Sequence, residues 1–119
     1  MTGTELRLRV VFGDGAMLGP GKADLLERIR DTGSISAAGR GMGMSYKRAW
    51  SLVETMNAMF AAPLVAATRG GAAGGGAHLT EAGAAVLAEY RALQATADRA
   101  LGDHVRAFEA CLRDMSDRK

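Results

Sequence analysis

Residues Gly33 to Asn57, GSISAAGRGMGMSYKRAWSLVETMN, are poor material for a single helix, because glycine stands at positions 33, 39, 41 and 43. Each glycine inside a helix costs roughly 1 kcal/mol against alanine. The apolar spacing instead predicts two short helices. The first opens on Ser34 or Ser36 as its cap, packs through Ile35, Ala38 and Met42, and ends at Gly43. The second is capped by Ser45 and carries Ala49, Leu52, Val53, Met56 and Phe60 on one stripe. Gly39 is small enough for the two helices to cross closely, and Gly43 turns the chain between them. Lys47, Arg48, Ser51, Glu54 and Thr55 fall on the rest of the second cylinder.

The flanks fit one small domain around this pair. Leu6 to Phe12, LRLRVVF, alternates so that Leu6, Leu8, Val10 and Phe12 share a face, which predicts a half-buried strand. GDGAMLGPG breaks the pattern, and Pro20 suits the first turn of a helix carrying Leu25, Leu26 and Ile29. Gly33 can close that helix in the left-handed conformation. Further on, Pro63 to Arg69 and His78 to Thr80 predict two strands joined by the glycine-rich tip GGAAGGGA. Thr80 then caps a long helix whose apolar positions are Val86, Tyr90, Leu93, Ala97, Leu101, Val105, Phe108 and Leu112. Steps of three and four sustain that seam over about four heptads. Such a helix outruns a domain of this size, so its far half must fold back at Gly102 or pack on a second chain.

Composition bounds the function. The chain has 119 residues, of which 48% are hydrophobic and only 5% aromatic, which favours small packed helices. A lone Cys111 rules out an internal disulfide and fits a reducing compartment. No apolar run has membrane-spanning length and MTGTELRLRV lacks a signal-peptide core, so a cytoplasmic protein is expected, without membrane partners. Residues 34–78 carry Arg40, Lys47, Arg48 and Arg69 against Glu54 alone, whereas residues 79–119 are slightly acidic. The basic excess therefore sits around the helix pair, as an electrostatic footprint would.

Catalytic readings fail on their motifs. Neither GPGKAD nor the glycine-rich tip forms a phosphate loop, since the required Lys-Ser or Lys-Thr pair is missing. His78, His104 and Cys111 have no metal-ligand spacing, and neither histidine stands in a hydrolytic motif. The methionines occupy mostly helical core positions. No enzyme, no metal and no cofactor is expected.

Strand, three helices, hairpin and long helix, in that order, predict a mainly α chain with a small β component: a winged helix-turn-helix with a long C-terminal dimerisation helix. Residues 1–79 would form the DNA-binding domain and residues 80–119 the dimerising helix. Such elements lay the second helix of the pair in the major groove, N-terminus foremost. The residues expected at double-stranded DNA are Ser34, Ser36, Ser45, Tyr46, Lys47, Arg48 and Ser51, with Arg69, Gly70 and Gly71 on the wing. The seam from Val86 to Leu112 is the expected homodimer interface. A small-molecule or oxyanion sensor, and a protein that pairs with a full-length regulator, are the alternative readings.

The stretch DLLERIRDTGSISAAGRGMGMSYKRAWSLVETMN resembles the DNA-binding domain of the ModE family of molybdate-responsive transcription regulators, most tellingly at Ser45 to Trp50 and at Met56-Asn57. RGGAAGGGAHLTEAG, Arg69 to Gly83, is similar to that family's wing and the helix after it. The LysR-type DNA-binding domain shares the pattern more loosely. The resemblance implies a transcription regulator. ModE proteins usually continue into β-barrel domains that bind molybdate, and the sequence stops at Lys119, so direct molybdate binding by these residues is not expected.

Overall fold

Helix α1 spans Pro20–Thr32 and supplies the centre of the core, with Ala23, Leu25, Leu26 and Ile29 fully buried. The computed structural model describes residues 3–68 and 76–113. Pro20 sits in the first turn of α1, where its missing N–H costs nothing. Gly33 closes the helix at φ +71°, its N–H donating to Ile29 O at 2.8 Å. α2 (Ile35–Gly41) starts at Ser34, whose hydroxyl accepts from Ala37 N at 3.0 Å. α3 (Tyr46–Met59) starts at Ser45, which accepts from Arg48 N at 3.1 Å. Both caps satisfy amides that the first turn of a helix leaves free. Ser36 is not a cap; it accepts a hydrogen bond from Arg40.

Two antiparallel strand pairs flank the helices. β1 (Val10–Val11) pairs with β2 (Met17–Leu18), Val10 opposite Leu18. β3 (Val65–Thr68) pairs with β4 (Gly76–Leu79), Val65 opposite Leu79 and Thr68 opposite Gly76. The strand expected over Leu6 to Phe12 is thus cut to two residues. Its only ladder partner among the described residues is β2, which ends where Gly19 and Pro20 start α1. Leu8 turns to the last helix instead, and its carbonyl accepts from the Tyr90 hydroxyl at 2.6 Å.

The link from α3 to β3 is organised by Asn57. Its Oδ1 accepts from Leu64 N and Val65 N at 2.8 and 3.0 Å, and its Nδ2 donates to Val65 O at 3.1 Å. Leu64 and Val65 are buried, so their amides have no recourse to water once Asn57 is removed. Asn57→Ala is therefore expected to cost about 2–3 kcal/mol. Asn57→Asp, which keeps the acceptor, should lose less. Urea denaturation of the two variants checks the order.

α4 runs without a break from Glu81–Cys111, so the chain does not fold back at Gly102. At about 1.5 Å per residue its 31 residues extend roughly 46 Å, against a longest molecular dimension of 55 Å. Thr80 fixes its start: the hydroxyl accepts from Gly83 N at 3.0 Å and donates to Pro63 O at 2.6 Å. Arg91 then ties α4 to α1, reaching Asp24 and Glu27 at 2.8 Å. Only Gly83, Leu87 and Tyr90 of this helix are buried. Beyond Arg91 it projects past the core, with Leu101, Phe108 and Leu112 exposed.

Candidate nucleic-acid interface

The turn between α2 and α3 holds the second helix at a fixed angle to the first. Gly43 adopts φ +72°, a conformation other residues rarely take. Met44 N donates back to Gly39 O at 3.0 Å, drawing the two helices together. A Cβ on Gly39 would lie 2.8 Å from the Cβ of Ala49, so glycine is required where the helices cross. Gly39→Ala is expected to cost about 1–3 kcal/mol by overpacking, and a thermal melt at matched protein concentration measures it.

α3 buries Ala49, Val53 and Met56, packs Leu52 against the core and leaves its opposite face open. Tyr46, Lys47, Arg48, Trp50, Ser51, Glu54 and Thr55 are all exposed. Tyr46 and Trp50 stack edge to face with ring centroids 6.5 Å apart, and the indole N–H donates to the phenol oxygen. Trp50 is not among the residues expected at the interface from sequence. Its place four residues after Tyr46 is a readable signal, but periodicity alone does not separate an exposed ring from a core one.

The exposed surface of α3 is rimmed on both sides. On one side Tyr46 and Trp50 line a groove with Ser34, Ile35, Ser36, Gly76 and Ala77. The wing strand is anchored there because Ala77 N donates to Gly33 O at 2.9 Å. Ser34 and Ser36 thus stand beside the N-terminal half of α3. On the other side Met44, Arg48 and Leu52 line a second groove with Arg7, Arg9 and Lys22. Those three basic residues come from the N-terminal segment and α1, and nothing in the local pattern of residues 33–57 points to them. Arg69, Gly70 and Gly71, expected on the wing, lie outside the described residues.

The expected partner seam divides along α4. Val86 packs against the core of its own chain. Tyr90 is 3% exposed and hydrogen-bonded to Leu8, so it has no surface to offer a partner. Burial pushes the Tyr90 phenol above its usual range, which keeps it a donor to that carbonyl. Leu93, Ala97 and Val105 are half-buried, while Leu101, Phe108 and Leu112 are open to solvent. Among the described residues no group of three or more potential metal ligands is gathered, and no helix is long and apolar enough to cross a membrane.

A capped helix with a basic, hydrogen-bonding exposed surface, crossed by a shorter helix and edged by a β-hairpin, defines a winged helix-turn-helix domain. Residues 22–84 match the bacterial regulatory helix-turn-helix protein family of the LysR type, and the chain belongs to that family. It is 53% identical over 81 residues to the molybdenum-pterin-binding protein MopB of Rhodobacter capsulatus, covering 68% of this chain and 30% of that protein. It is 35% identical to the molybdenum transport protein ModE of Azotobacter vinelandii, covering 98% of this chain and 48% of that protein. To the transcriptional regulator ModE of Haemophilus influenzae it is 34% identical, covering 84% of this chain and 39% of that protein. The chain therefore spans between about a third and a half of the length of these relatives. It is a DNA-binding regulator domain of the ModE type.

Proposed function

We propose that the chain binds double-stranded DNA as a homodimer, with α3 of each protomer in the major groove and the β3–β4 hairpin along the adjacent backbone. The observation that carries this reading is the exposed ridge of Lys47, Ser51 and their neighbours on a helix locked in place by Gly39, Gly43 and Ser45. Side chains of this kind at the leading end of a helix reach phosphates and base edges together. Ser34, Ser36 and Tyr46, which line the groove beside α3, are assigned to the same duplex contact, and Arg69, Gly70 and Gly71 complete the proposed set.

The projecting half of α4 supports the pairing. Leu101, Val105, Phe108 and Leu112, with Leu6 of the N-terminal segment, line a largely apolar groove that the protomer leaves open. Antiparallel packing of two such helices across a two-fold axis buries the same patch twice. Leu93 and Ala97 would lie at the near end of that contact. Two recognition helices held this way suit a two-fold operator with half-sites about one helical turn apart.

Trp50 is the only tryptophan and sits on the proposed interface, 39% exposed. Titrating the chain with duplex DNA is expected to change its fluorescence in step with binding, and raising salt should reverse the change. A dimer making about six to eight phosphate contacts has a steep logarithmic salt dependence. Binding confined to single strands, or unaffected by salt, would refute this function.

A further inference from the structure

The N-terminal hairpin carries charge that the wing and α3 do not account for. Arg9, Lys22 and Arg48 line one groove together with Arg7, and no Asp or Glu is among its described lining residues. Arg7 is paired with Glu5 at 3.2 Å, which leaves the other three as the charged side chains available to an anion. Met17 holds two of them in place. Its sulfur accepts from the Arg9 guanidinium at 3.2 Å, and its carbonyl accepts from Lys22 Nζ at 2.8 Å. The Arg9 stem lies across Gly19, whose added Cβ would be 3.4 Å from the Arg9 Cγ.

The position of this groove names its occupant. At 3.6 residues per turn, Arg48 lies about 160° around α3 from Tyr46 and Trp50. The hairpin groove and the wing groove therefore flank α3 on opposite sides. A helix seated in a major groove has one sugar-phosphate strand on each side of it. We propose that β1–β2 and the start of α1 form a second DNA-contacting element, in which Arg9 and Lys22, beside Arg48, grip the strand opposite the wing. This rests on the duplex-binding reading above and adds residues from outside the helix-turn-helix to it. The charge density fits a polyanion backbone, and continuity through Arg48 joins the groove to the α3 surface.

The test compares the full chain with its Arg9→Gln and Arg9→Lys variants by anisotropy on duplex DNA between 50 and 200 mM salt. Arg9 is exposed and its guanidinium is held by the Met17 sulfur alone among the described residues, so Arg9→Gln should keep the wild-type melting temperature. Each phosphate contact removed makes the logarithmic slope shallower by about 0.9, so a dimer that loses one contact per protomer narrows its affinity ratio across that salt range about twelvefold. Arg9→Gln is expected to show this narrowing, and Arg9→Lys to restore most of the slope. Neutral methylphosphonate linkages should then weaken wild-type binding at specific phosphates but leave Arg9→Gln binding unchanged there. A wild-type slope and methylphosphonate pattern in Arg9→Gln would overturn the second contact while leaving duplex binding intact. Failure of the wild-type chain to bind duplex DNA at all would overturn both.

Discussion

Gly83→Ala is expected to destabilise the chain by about 3 kcal/mol, the upper end of ordinary overpacking. The first turn of α4 rests on the backbone of Leu64, and a Cβ at Gly83 would lie 2.0 Å from the Leu64 carbonyl oxygen and 2.9 Å from its carbon. A flexible side chain could move aside, but this carbonyl cannot: it also accepts the Thr80 amide at 2.9 Å, and Asn57 holds the same residue's N–H. Relief requires lifting α4 off the core, which would expose Leu87 and Tyr90. In a domain of this size the loss corresponds to a melting temperature lower by roughly 10–15 °C. Gly21→Ala is the matched control, since its added methyl meets nothing within 4 Å. That variant should be neutral or gain about 0.5 kcal/mol. Both are to be melted at one protein concentration, because the proposed pairing of chains would make the midpoint concentration-dependent.

The second large effect is expected at the projecting end of α4. Leu101→Asp combined with Phe108→Asp places two charges where the proposed dimer buries its seam. The positions are 39% and 74% exposed in the protomer, and neither belongs to its core cluster. The helix and core should persist by circular dichroism while sedimentation equilibrium reports a monomer. Duplex affinity should fall about 10²-fold or more, because the second recognition helix is no longer tethered to the first. A wild-type chain that sediments as a monomer at micromolar concentration would refute the pairing.

Local signals carried the reading of residues 33–60. Gly43, Ser34 and Ser45 act through their own backbone or hydroxyl on groups a few residues away, so neighbouring letters contain the whole interaction. The close crossing at Gly39 was legible for the same reason, because both helices and the turn between them lie in one short stretch. Pairings between distant residues were not legible. Tyr90 continues the apolar seam in spacing, yet its partner is Leu8, 82 residues away. Arg91 finds Asp24 and Glu27 across more than 60 residues. Alternation over Leu6 to Phe12 describes a strand correctly only while a partner strand exists, and Pro20 ends the available one after Leu18. The groove of Arg9, Lys22 and Arg48 was hidden likewise, since three separate elements meet to form it.

That the exposed ridge of α3 reads duplex DNA is tested most directly by selection from a pool of random duplexes with the 119-residue chain. The recovered sequences should share a two-fold symmetric site with half-sites about 10 base pairs apart. The Lys47→Ala/Arg48→Ala variant, altered only at exposed positions, should fold normally and recover no such site. A wild-type pool without a common sequence, or the same site recovered by the variant, would contradict recognition through α3.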